Sequence, residues 1–197
     1  ASVFAIFMLI IGMTGMTAAQ TNIGGGVLPD NAVWTAASSP YIINGDVIVE
    51  EDSSLTIEPG VTVEFTAGTS MLIRGLMTSD GTAASQILFT SNAGIPAAGD
   101  WDEVEFANST DPATILDNCI LEYGGGGTRE AILFYASGAP TVNITNTTVR
   151  HSAGDGVTIR TSQLQITDSE FSDNAKWGIY GDVFMATGTN ITNTIIN

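Results

Sequence analysis

The sequence predicts an all-β solenoid, a parallel β-helix, and three observations predict it. The first is a six-residue phrase that recurs through the second half. It reads Leu116-Asp117-Asn118-Cys119-Ile120-Leu121, then Ile144-Thr145-Asn146-Thr147-Thr148-Val149. It returns as Ile166-Thr167-Asp168-Ser169-Glu170-Phe171 and as Ile191-Thr192-Asn193-Thr194-Ile195-Ile196. Every copy is aliphatic at its first position, Asn or Asp at its third and apolar at its sixth. The copies start 28, 22 and 25 residues apart, within the period of solenoid units. The second observation is a companion phrase at a fixed offset, Gly156-Val157-Thr158-Ile159 and Gly178-Ile179-Tyr180. The third is the absence of any 3.6-residue apolar stripe long enough for a surface helix. A β-sandwich is the alternative fold, because the repeats before residue 114 are irregular.

Residues 1–20 open with Ala1 to Ile11, an uncharged apolar run, and close on Thr17-Ala18-Ala19-Gln20. Small residues at 17 and 19 suit signal-peptidase cleavage before Gln20, so the stretch reads as a truncated secretory signal. A retained pilin-like hydrophobic helix is the second reading. A membrane anchor is the third, because spanning needs about 20 solidly apolar residues. All three place the remainder outside the cytoplasm. Residues 21–33, with Gly24-Gly25-Gly26, Pro29 and Asp30-Asn31, read as a linker and entry loop. The β-helix is then residues 34–197.

From Trp34 onward short apolar runs are cut by turn residues. Val47-Ile48-Val49, Leu55-Thr56-Ile57, Val61 to Phe65 and Met71-Leu72-Ile73 are separated by Pro59-Gly60, Ala67-Gly68 and their like. Val61, Val63 and Phe65 alternate with Thr62 and Glu64, so one face is buried. Gln86 to Thr90 is the next strand, and Asn92 to Trp101 is loop. Gly124-Gly125-Gly126-Gly127-Thr128-Arg129-Glu130 reads as a flexible insertion between the first two repeat phrases. In a coil, residues 116, 144, 166 and 191 would stack as one inward column, and 121, 149, 171 and 196 as another. Asn118, Asn146, Asp168 and Asn193 would then form a ladder at one corner, bonding backbone groups and each other. The last phrase stops at Asn197 without a polar cap, which predicts that the coil continues or is covered by another subunit.

Ser39-Pro40-Tyr41, the run Leu55-Thr56-Ile57-Glu58-Pro59-Gly60-Val61 and the repeat phrases together resemble the right-handed parallel β-helix proteins of the pectate-lyase-like superfamily, in their secreted and cell-surface form. The resemblance spans Trp34 to Asn197. It implies a fold more than an activity, because the superfamily mixes lyases, hydrolases, epimerases and non-catalytic modules. For a lyase it implies acidic residues holding calcium and an Arg or Lys that removes a proton. For a hydrolase it implies close aspartates.

The composition narrows the partners. Five Lys and Arg stand against 21 Asp and Glu, a net charge of −16. Nucleic acid is disfavoured, and a membrane is reached only through residues 1–20 if they are retained. Cys119 is the single cysteine, so an intrachain disulfide is impossible, and it reads as a packed residue.

Candidate site residues follow. Glu122 and Arg150 each come directly after the sixth position of the phrase, so stacking makes them neighbours, either a surface ion pair or an acid beside a proton-abstracting arginine. His151 is the single histidine and falls in the next column, with Tyr123 and Asp173. Glu103 and Glu105 share a strand face and are the candidates for a hard cation such as Ca2+; no other cofactor is expected. Trp101, Tyr123, Tyr135, Trp177 and Tyr180 are aromatics that could stack on sugar rings or fill the interior. Asn108, Asn143, Asn146 and Asn190 open Asn-X-Ser/Thr sequons and are candidate glycan acceptors.

Taken together, the residues predict a non-catalytic extracellular β-helix module, structural or adhesive, with self-association or surface carbohydrate as partners. The alternatives are a filament subunit held by the N-terminal helix and a polysaccharide lyase or hydrolase.

Overall fold

A computed structural model describes residues 20–160, 163–182 and 189–197. The apolar stretch at residues 1–19, with its signal, pilin and anchor readings, lies outside them. Among the described residues the chain forms 22 short strands and one 3-10 turn, Ala36–Ser38. The strands assemble into three sheets of eight, seven and seven strands. Each circuit gives one strand to each sheet. In the fifth circuit these are Cys119–Glu122, Ala131–Tyr135 and Val142–Thr145. Successive circuits pair in parallel, for example Leu121 with Val149 and Val149 with Phe171. An antiparallel β-sandwich is thereby excluded.

The expected columns exist in register. Leu116 pairs with Ile144, Ile144 with Ile166 and Ile166 with Ile191. The first three side chains are fully buried. The column runs further back than its sequence signal, through Ser79, Ile57 and Trp34. The irregular first half is thus the same coil. Strand Thr62–Phe65 shows why these segments are strands: Val63 and Phe65 are buried, and Thr62 and Glu64 face outward. Burial of each such apolar side chain contributes roughly 1.5–3 kcal/mol, and stacking like on like gives each one neighbours above and below.

Residues 21–33 are not a linker. Thr21–Ile23 pairs with Tyr41–Ile43, Gly26–Val27 with the strand at Val47, and Ala32–Trp34 with Leu55–Ile57. The glycines that suggested flexibility make a tight corner. Gly25 sits at φ +84°, and a Cβ there would lie 2.9 Å from the Gly45 carbonyl carbon.

The Asn/Asp ladder marks the corner between the third and first sheets. Asn118, Asn146, Asp168 and Asn193 have φ of 50°, 48°, 50° and 47°, the left-handed region that Asn and Asp tolerate best among side-chain-bearing residues. One such residue turns the chain from a strand of one sheet into a strand of the next. Its N–H is given to the next circuit: Asn118 to the Thr145 carbonyl, Asn146 to Thr167 and Asp168 to Thr192, each at 3.1 Å. The amides do not chain from rung to rung as expected. Those of Asn118 and Asn146 converge on the Asp117 carboxylate, at 3.0 and 2.9 Å.

Candidate functional site

The outer wall of the first sheet carries Glu122 and Arg150 at paired positions of adjacent strands. Arg150 Nε donates to Glu122 Oε2 at 2.8 Å, and its terminal nitrogen lies 2.7 Å from the same oxygen. The Thr90 hydroxyl donates to Glu122 Oε1 at 3.1 Å from the circuit below. The Glu122 carboxylate is thus held on both oxygens. The Glu122 carbonyl accepts the Trp101 indole N–H at 2.9 Å, so the strand is pinned from inside as well. His151 lies beside the pair in sequence, yet its ring stacks on Tyr123, with centroids 5.2 Å apart. Tyr123, His151 and Asp173 all have left-handed φ. Their expected column is therefore a second corner, between the first and second sheets.

Glu103 and Glu105 do share a face, and Arg129 reaches both. Its Nε lies 3.8 Å from Glu103 Oε1, and it forms an ion pair with Glu105. The guanidinium also covers the Phe134 ring at 4.3 Å. A protein cation therefore occupies the space between the two carboxylates proposed for calcium. Among the described residues no three of His, Cys, Asp and Glu group closely enough to hold a metal. Burial pushes the Glu103 carboxyl up to about 7, against the pull of Arg129 and with repulsion from Asp102 and Glu105. Asp102 is raised too, by burial and by Asp46.

The segment that delivers Arg129 is packed, not a flexible insertion. Gly125 N–H donates to the Asp102 carbonyl at 2.7 Å and Gly126 N–H to the Trp101 carbonyl at 2.9 Å. A Cβ on Gly124 would meet the Trp101 ring at 2.7 Å, and one on Gly126 the Gly99 carbonyl oxygen at 2.1 Å. The glycines let two backbones lie side by side, and Arg129 leaves this rigid run at a fixed place. Sequence reasoning missed Arg129 because the path of an insertion has no periodicity; four consecutive glycines ahead of a lone arginine were the signal available.

The aromatics separate cleanly. Trp101 is fully buried and stacks on Phe65 at 4.2 Å, and Tyr135 is fully buried against Phe106. Trp177 and Tyr180 are exposed, at 64% and 40%. They line a groove of about 350 Å³ on the outer wall of the second sheet, with Arg129, Glu130, Asp155 and Lys176 among its walls. A second groove of about 470 Å³ lies at the corner around Glu51, Asp52 and Asp111. The four sequon asparagines, Asn108, Asn143, Asn146 and Asn190, are all exposed, although the Asn146 amide is engaged with Asp117.

Comparison with known proteins agrees with this architecture. The family model described as "Pectate-lyase like beta helix domain" matches residues 26–125. A relative, "Protein bark beetle" of Drosophila melanogaster, is 32% identical over 77 residues, which is 39% of this chain and 2% of that protein. The chain therefore spans a very small part of that relative's length. No solved structure matches significantly.

Proposed function

Since the chain belongs to the family of pectate-lyase-like β-helix domains, we propose that it is a non-catalytic extracellular module, a stiff coil that presents side chains from its outer walls in a structural or adhesive role. The single observation that carries this reading is the mutual neutralisation of its candidate catalytic groups. Arg150 and Glu122 satisfy each other, and Arg129 lies between the two acidic residues proposed for calcium. A proton-abstracting arginine needs a substrate proton within hydrogen-bond reach and a cation to stabilise the resulting charge. Here the guanidinium that would do the first is bound to a carboxylate, and the acids that would do the second hold an arginine. An extracellular location is supported by the signal-like opening stretch, the acidic balance and the four exposed sequon asparagines.

The test is incubation with polygalacturonate and calcium, following the ultraviolet absorbance of unsaturated product. No rise is expected. A rise abolished by Arg150→Ala overturns the non-catalytic reading in favour of the lyase. Protease shaving of intact source cells tests the location: release of fragments of this chain is expected, and complete protection overturns it.

A further inference from the structure

We infer that Asn143 and Asn190 are covalently glycosylated and that their glycans sheathe one half of the third sheet's outer wall, an inference that rests on the extracellular reading. Both residues open sequons, Asn143-Ile144-Thr145 and Asn190-Ile191-Thr192. Both lie in strands, Val142–Thr145 and Asn190–Thr192. Alternation turns the middle isoleucine inward and leaves the Asn amide and the Thr hydroxyl on one outer face. Both asparagines are exposed. Register fixes their spacing: Ile115, Asn143, Gln165 and Asn190 are successive rungs of one outward column. Gln165 fills the rung between them and is no acceptor. The two acceptors are therefore two circuits apart, about 10 Å. A branched sugar chain is wider than one strand spacing of about 4.8 Å, so alternate rungs leave room that adjacent rungs would not.

The wall supplies a second, independent observation. Its outward rows in the fifth to seventh circuits are Asn143 and Thr145, Gln165 and Thr167, and Asn190 and Thr192. None carries a charge, in a chain with 21 Asp and Glu. The column runs on through half-buried Ile115 to Thr78, Thr56 and Val33, which is 54% exposed. A flat sheet face without charge lacks the repulsion that keeps such faces apart. Bulky, hydrated glycans on Asn143 and Asn190 supply the missing barrier. The overlapping corner sequon differs: Asn146 sits at φ 48° with its amide donated to Asp117, and it is expected bare. The attachment is a glycosyl transfer from a diphosphate-linked oligosaccharide donor of the export pathway. The Asn Nδ2 attacks the anomeric carbon, the new C–N bond forms, and the C–O bond to phosphate breaks. Its electron pair leaves on the diphosphate, and one amide proton passes to a base.

Glycopeptide mapping of the chain purified from its source is the test. Sugar is expected on Asn143 and Asn190 and not on Asn146. In the full chain passed through a secretory pathway, Thr145→Ala should empty Asn143 alone and Thr192→Ala should empty Asn190 alone, while Thr145→Ser keeps its site. The double variant Thr145→Ala, Thr192→Ala loses both glycans without gaining charge. It should keep its β-sheet circular dichroism and self-associate in sedimentation, and Asn143→Gln with Asn190→Gln should do the same. A chain found on the cell surface with either asparagine bare overturns the inference and leaves the location standing. A bare chain confined to the cytosol overturns both. Folded double variants that stay monomeric, or chains from the source that already pair through this wall, overturn the sheathing role.

Discussion

Thr147 stands one circuit above Cys119, and its hydroxyl accepts the Cys119 backbone N–H at 3.3 Å while donating to the Thr145 carbonyl at 2.8 Å. Ser169 repeats the arrangement above it, accepting the Thr147 N–H at 3.2 Å and donating to Thr167. Cys119 is the sulfur rung of this hydroxyl ladder, with Sγ 3.4 Å from the Asp117 carbonyl. Burial pushes its thiol well above the usual range. Ellman's reagent should therefore leave the native protein unmodified and react with one thiol in denaturant. Cys119→Ser should keep the rung and change stability by no more than about 1 kcal/mol, measured by urea denaturation. Fast labelling of the folded protein would refute the assignment.

The neighbouring corner residue gives a sharper contrast. Asn146 is exposed, sits at φ 48° and donates its amide to Asp117. Asn146→Gly keeps the left-handed backbone without strain and should cost well under 1 kcal/mol. Both replacements lose the amide, but Asn146→Ala is strained as well and should cost about 1–2 kcal/mol. Ile144→Ala, two residues earlier and fully buried, should cost about 2–5 kcal/mol. Thermal melts of the three variants should rank in that order; equal effects of Gly and Ala at 146 would remove the corner argument.

These residues also show what was legible beforehand. Ile144, Ile166 and the Asn/Asp corner could be read because a solenoid places like residues in register, and register survives as spacing. Glu122 and Arg150 could be paired for the same reason. The first circuit, Thr21 to Trp34, was misread because its corner uses Gly24, Gly25 and Gly26, which in sequence look like slack. Arg129 was not legible as a site, and Trp177 and Tyr180 were legible as candidate aromatics but not as the wall of one groove. Both depend on where irregular segments cross the outer wall, and Glu130 meets Lys176 two circuits away.

The Glu122–Arg150 pair is asymmetric: the carboxylate side chain is 11% exposed and the guanidinium 40%. Removing the arginine leaves a mostly buried carboxylate held by the Thr90 hydroxyl alone among the described partners. Arg150→Ala should cost roughly 1–2 kcal/mol, and Arg150→Lys should recover only part, lacking the fork of donors. Glu122→Gln should be milder, and the double variant should cost less than the two singles combined. Additive effects in urea denaturation would show that the two side chains do not depend on each other.

Glu103 supplies a pH dependence whose sign follows from its surroundings. Burial first, then the neighbouring carboxylates, raise it from 4.5 to about 7, with Arg129 opposing. The folded chain therefore binds this proton more tightly than the unfolded chain does. The stabilisation is complete below pH 4.5 and is lost as pH climbs through about 7. Arg129 is itself a third exposed, so water screens part of the effect, and a loss of about 1 kcal/mol is expected across this window. Many other carboxylates repel one another in so acidic a chain, and a falling stability alone would not identify Glu103. Glu103→Gln isolates it, being neutral throughout. The variant should match the wild type near pH 4.5 and exceed it near pH 8, with urea midpoints diverging in between. Parallel midpoint curves would mean that Glu103 titrates in the folded chain as it does in the unfolded one, with Arg129 offsetting burial.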